Sequence, residues 1–151
     1  MELARILHPD QYLRDSRRFK STCFTNPSDN SGISVVGVDC VGKRDVKTRI
    51  CAHVEDHYAI RTTGNPIILW IFTEELILSK SKECNLKSDT SNGDPCHFNI
   101  CGLSKKQVKD FLSENLKLAS VFVCKPNHDL IPATYELLES LIPKDVKRQD
   151  R

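Results

Sequence analysis

The sequence predicts one α+β domain, and three observations carry that prediction. Residues 33–39, 66–72 and 119–124 are short runs rich in β-branched and aromatic side chains, the composition of buried strands. They alternate with segments whose apolar residues recur at the helical period, and clusters of turn-forming residues separate the two kinds of segment. With 151 residues, 39% of them hydrophobic, the chain has the size of a single domain that buries about 68–70% of its unfolded surface and needs no crosslink to fold. The expected layout is a mixed or antiparallel sheet of about four to five strands with about three helices over residues 1–143, followed by a basic flexible tail over residues 144–151.

Taken in order, residues 3–24 open the chain as an arm in which Ala4-Arg5-Ile6-Leu7 is a candidate short strand and Pro9 the punctuation after it. The stretch Thr25-Asn26-Pro27-Ser28-Asp29-Asn30-Ser31-Gly32 is a loop. Ile33, Val35, Val36, Val38 and Val41 then form a strand buried on both faces, ended by Gly42. Asp45 opens a helix whose Val46, Ile50, Val54 and Tyr58 make one inward stripe until Gly64-Asn65-Pro66 breaks it. The run Ile67-Ile68-Leu69-Trp70-Ile71-Phe72 is the expected central strand, with Trp70 in the core. Residues 79–95 are polar and read as a long loop or a hairpin of marginal strands, a segment that tends to be functional. Residues 97–100 form a strand. Ser104 then caps a helix with Val108, Phe111, Leu112 and Leu116 on its inner side. After the strand at 119–124, Asp129 and Pro132 begin a last helix that Pro143 stops. The order from residue 33 to residue 124 matches the split pattern of a ferredoxin-like sandwich.

Charge and cysteine usage exclude several function classes. The net charge of +2, from 22 basic and 20 acidic residues, lacks the footprint of a duplex-binding domain. No apolar run approaches the roughly 20 residues that span a bilayer. The strands bring no basic residues beside Trp70, Phe72, Phe98 and Phe122, which argues against a base-stacking sheet. Seven cysteines, Cys23, Cys40, Cys51, Cys84, Cys96, Cys101 and Cys124, are an odd number without paired spacing. Charged Glu2 and Arg5 interrupt any leader-like opening. Together these predict a cytoplasmic protein with reduced thiols. Arg14, Arg17, Arg18 and Lys20 crowd one stretch whose arginines can hold an anion, and replacement of Arg14, Arg17 and Arg18 by alanine is expected to leave the thermal midpoint nearly unchanged.

Among groups that carry chemistry, His53 and His57 lie at i and i+4, a spacing that can share a metal, with Cys51 nearby. The same histidines border a core stripe, and the cysteines read as small buried hydrophobes, so no metal or other cofactor is assigned. Cys96 and His97 are expected to point to opposite faces of their strand and not to act together. Asp39, at a strand end, can hold a cation or a ribose.

Three stretches carry a resemblance: Ile6-Leu7-His8-Pro9; Ser16 to Phe19 and Phe24 to Pro27 with Asp29, followed by Gly32-Ile33-Ser34-Val35; and His97-Phe98-Asn99-Ile100-Cys101-Gly102-Leu103. They resemble a group of small uncharacterised bacterial proteins with Ile-His-Pro, Phe-x-Pro/Asp, Leu-Ser-Val and His-x-x-Ile-x-Gly elements. Thr25-Asn26 here intervene where that pattern has one residue. The resemblance implies a bacterial cytosolic source and marks His8, Ser34 and His97 as catalytic candidates. Arg5 or His8 with Ser34 is also similar to the way ADP-ribosyltransferase-like folds hold NAD, without a clear catalytic glutamate. The expected function is binding or regulation through protein contacts, in a bacterial conflict or stress system, with residues 79–95 and the basic stretch as contact surfaces. The alternative is a small enzyme acting on a nucleotide-like substrate, with His8 and His97 as acid or base, Ser34 on the substrate, and Arg5 or Arg18 on phosphate.

Overall fold

Leu3, Ala4 and Leu7 are almost wholly excluded from solvent. The strand that contains them, Glu2–Leu7 (β1), pairs with Ile33–Gly37 (β4) on one side and Ile67–Thr73 (β5) on the other. The computed structural model describes residues 1–25, 32–41, 46–58 and 66–144. The expected loop at 26–31, the helix start at Asp45, the break at Gly64-Asn65 and the tail from residue 145 lie outside the described residues.

Beyond β1, the chain forms the hairpin Tyr12–Leu13 (β2) and Arg18–Phe19 (β3), then β4, a helical turn Val38–Val41 (α1) and the helix Val46–Tyr58 (α2). After β5 come Glu74–Leu78 (α3), Asn85–Ser88 (β6), His97–Cys101 (β7), Lys105–Asn115 (α4), Val121–Cys124 (β8), Leu130–Pro132 (β9) and Tyr135–Leu141 (α5). The main sheet has seven strands in the order β6-β7-β4-β1-β5-β8-β9, every neighbouring pair antiparallel.

Side-chain alternation divides the core in two. Leu3, Leu7, Val35, Ile68 and Trp70 face one side, where Phe111 of α4 and Leu138 of α5 cover them. Rings of Phe24, Trp70, Phe72 and Phe111 meet there at centroid separations of 4.6–5.8 Å. Ala4, Val36, Ile67 and Leu69 face the other side, under Ile50 and Val54 of α2. A sheet covered on both faces explains the near-continuous apolar runs of β4 and β5.

The α+β class, the antiparallel sheet, the inward Ile50, Val54 and Tyr58 of α2 and the Ser104 cap follow the sequence. The Ser104 hydroxyl accepts from the Gln107 amide at 3.1 Å, and the Gln107 side chain returns the contact to the Ser104 amide. Several boundaries are corrected. The sheet is larger than expected because residues 79–95 contribute an edge strand, β6, and because Asp129 and Pro132 flank or end a strand, β9, instead of opening a helix. Thr134 caps α5, its hydroxyl accepting from the Leu137 amide at 3.0 Å. The strand at 33 ends at Gly37, so Val38 and Val41 are helical. With β1 set between β4 and β5, and α2 and α4 on opposite faces, the order is not that of a ferredoxin-like sandwich. Gly102, at φ +85°, turns the chain out of β7 where a Cβ would stand 2.1 Å from the Glu83 carbonyl oxygen, a position only glycine fits.

The reduced-thiol expectation is also corrected. Cys40 pairs with Cys96, and Cys51 with Cys124, at Cα separations of 5.5 and 5.6 Å, leaving Cys23, Cys84 and Cys101 as thiols. The first bond ties α1 to the chain entering β7, and the second ties α2 to the end of β8. No helix among the described residues is long and apolar enough to cross a membrane.

Candidate functional site

The basic stretch divides into structural and open cations. Tyr12 pairs with Phe19 and Leu13 with Arg18 in the β2–β3 hairpin, whose turn holds Arg17 at φ 51°. Arg14 donates one guanidinium nitrogen to the Glu139 carbonyl at 3.1 Å and another to the Ile142 carbonyl, so it caps the C-terminus of α5, where carbonyls lack helical partners. Arg17 pairs with the Glu139 carboxylate at 3.1 Å and sits 5.2 Å from the centre of the Tyr135 ring. The Tyr12 hydroxyl donates to the same carboxylate at 2.6 Å; these contacts hold the Glu139 carboxyl below its usual range, the tyrosine hydrogen bond foremost. Arg14 and Arg17 are therefore clamps between hairpin and helix, which corrects the expectation that removing them spares stability.

Between the hairpin, the turn Ser21–Phe24, α4 and Tyr135 lies a groove of about 870 Å³. Leu13, Leu112, Leu116, Leu118 and Val121 supply its apolar floor. Arg18, Lys20, Lys109 and Lys117 line it with Arg17, and among the described residues no carboxylate does. Among the described residues, the first four make no ion pair. Lys109 and Lys117 come from α4 and the turn after it, so no local signal in the sequence joins them to Arg18 and Lys20.

Ser34 and His97 do meet. Val36 lies opposite His97 and Ser34 opposite Asn99, which puts Ser34, His97 and Asn99 on the α2 face of the sheet. Ser34 Oγ is 2.5 Å from His97 Nε2, and His97 Nδ1 is 2.7 Å from the Asp89 carbonyl oxygen. A carbonyl can only accept, so Nδ1 carries a proton, and in the neutral ring Nε2 accepts from the serine hydroxyl. Asn99 donates to the Asp89 carboxylate at 3.0 Å and, with Ser91, steadies the turn that supplies the carbonyl. A serine, a base and a group that orients the base is the arrangement an activated nucleophile requires. Residues 79–95, expected as a long loop or a hairpin of marginal strands, therefore act here as a support.

The other candidates fall elsewhere. Arg5 donates to the Cys23 carbonyl at 3.1 Å and the Ser34 carbonyl at 2.8 Å, joining the turn at 21–24 to β4. His8 stands at the N-cap of the turn Pro9–Gln11. His97 is level with Val36 and hence with Ala4, while His8, just past the end of β1, is four residues further along the chain, roughly 13 Å at strand rise. Asp39 is exposed on α1, where its carboxylate accepts from the Glu2 amide at 3.3 Å.

A buried polar knot escaped the sequence. Asp94 is fully buried. Its carboxylate accepts from the Cys96 amide at 2.8 Å and the Tyr58 hydroxyl at 2.7 Å, and one oxygen lies 2.7 Å from His53 Nε2. Burial alone would raise this carboxyl, but the three partners outweigh it and hold it below its ordinary value. His53 thus faces Asp94 and does not share a ligand with Cys51, which is in a disulfide; the His57 ring stacks beside His53 at 4.3 Å. No family model, curated protein or solved structure matches the chain.

Proposed function

We propose that this protein is a binding protein of regulatory type, and that an acidic segment of a protein partner lies in the groove between the β2–β3 hairpin and α4. The observation that supports this is the set of four cations, Arg18, Lys20, Lys109 and Lys117, around an apolar floor without a counter-charge among the described residues. Like charges gathered on one concave surface repel one another and attract an anion. The apolar floor asks for side chains as well as charge. Tyr12 and Phe19 pack edge to face at 5.4 Å and Arg17 covers Tyr135, so the rings are already engaged and are poor platforms for bases.

A displayed peptide library selected on the folded protein tests the proposal. Enriched peptides should combine Asp or Glu with apolar anchors. The double change Lys109→Glu/Lys117→Glu should weaken their binding at least about tenfold, equivalent to about 1.4 kcal/mol. Both residues are on the surface and outside ion pairs, so the thermal midpoint should hold. Neutral or basic winners, or unchanged affinity in the double variant, contradict the proposal.

A second reading rests on the Ser34–His97 contact: a small hydrolase or transferase in which His97 takes the Ser34 proton as the oxygen attacks. A fluorophosphonate probe tests it. The Ser34 oxygen would displace fluoride at phosphorus while His97 holds the proton, adding one phosphonyl group to Ser34. The adduct should disappear in Ser34→Ala and in His97→Gln; a wild-type protein that stays unmodified contradicts this reading.

A further inference from the structure

The knot around Asp94 touches a disulfide, and that juxtaposition goes beyond binding at the groove. Ligand atoms of His53, Asp94 and Cys96 all lie within 4.8 Å of one another. Cys96 is bonded to Cys40, so a fourth ligand is already beside the third. Cys40 is exposed at the surface while Asp94 and Cys96 are buried, so a reductant has access from one side only. A tetrahedral zinc-class ion takes sulfur at about 2.3 Å and imidazole nitrogen or carboxylate oxygen at about 2.0–2.2 Å. Two cysteines, one histidine and one carboxylate are such a donor set. The Tyr58 hydroxyl, 2.7 Å from the other Asp94 oxygen, would orient that ligand from outside.

We propose that Cys40, Cys96, His53 and Asp94 form a site that alternates between a disulfide and a bound zinc-class divalent cation according to redox state. In the oxidised protein the S–S bond occupies both sulfurs. A dithiol delivers two electrons and two protons: the S–S bond breaks, Cys40 and Cys96 become thiols, and the dithiol closes into its own cyclic disulfide. The cation then displaces the two thiol protons and binds both thiolates together with the imidazole and the carboxylate. Cys23 is outside the site, and burial pushes its thiol up to about 11, which keeps it protonated.

Cobalt(II) titration of the full chain under anaerobic conditions is the test, with zinc as competitor. After reduction by dithiothreitol and removal of the reagent, the wild type should take up one cobalt with thiolate-to-metal charge-transfer absorption that zinc abolishes. The oxidised protein should show none. His53→Gln leaves both disulfides intact in the oxidised chain and is the safer variant to fold; it should weaken binding at least about tenfold. Cys40→Ser/Cys96→Ser should lose the charge-transfer band. The proposal is overturned if the reduced wild type takes up no cobalt, if the oxidised protein binds as well, or if the folded His53→Gln variant binds as tightly as the wild type, which would place the ion on Cys51, Cys84, Cys101 or Cys124.

Discussion

Replacing Asp94 with alanine is expected to destabilise the folded protein by about 3–5 kcal/mol, the usual cost of removing one partner from a buried charged network. Three groups lose their acceptor at once: the Tyr58 hydroxyl, the Cys96 amide and the His53 ring nitrogen. Each stranded buried donor costs about 1–3 kcal/mol, and the amide cannot turn to another partner because the Cys40–Cys96 bond fixes the chain there. For a domain of this size the thermal midpoint should fall by roughly 10 °C. Tyr58→Phe removes one hydrogen bond and should cost about 1 kcal/mol. Scanning calorimetry on the two variants checks the ranking; an Asp94→Ala protein as stable as wild type would mean that the network adds little to the fold.

The second large effect concerns Cys51–Cys124. The bond closes a loop of 73 residues and so removes much of the freedom of the unfolded chain, a stabilisation of about 4 kcal/mol on the loop-entropy model. It also pins α2 to the sheet face it covers, since both sulfurs lie within that apolar cluster. The double change Cys51→Ala/Cys124→Ala should shift the urea midpoint of the non-reduced protein down by a corresponding amount. Adding reductant should then lower the midpoint of the wild type more than that of the variant. Equal responses of the two proteins would contradict a stapling role for this bond.

How much of this was legible follows from what each feature depends on. Ser104 and the α4 stripe depend on neighbours within one turn, and the sequence displayed both. The meeting of Ser34 with His97 was anticipated only as a pair of marked residues; the distance comes from β4–β7 register. β1 was under-read as a candidate short strand because Glu2 and Arg5 break its apolar pattern, yet Arg5 lies in the sheet with its charge satisfied by two backbone carbonyls. β6 is a polar edge strand, Asn-Leu-Lys-Ser, and β9 ends in a proline that only an edge tolerates, so neither carries a buried strand's composition. The disulfides join residues 56 and 73 positions apart, and connectivity of that kind has no local signal. Asp94 sits in Ser-Asn-Gly-Asp-Pro and looks like an ordinary turn residue; only the approach of α2 makes it a buried acceptor. The groove likewise exists only once α4 brings Lys109 and Lys117 to the hairpin that carries Arg18 and Lys20.

The central claim is that the basic groove is where this protein meets its partner, and amide chemical-shift mapping with a selected acidic peptide tests it most directly. The shifts should concentrate in residues 12–22 and 109–118, with saturation lost in Lys109→Glu/Lys117→Glu. Shifts gathered instead around Ser34, Asp89 and His97, with the hairpin and α4 unmoved, would contradict the claim and turn attention to the serine–histidine pair.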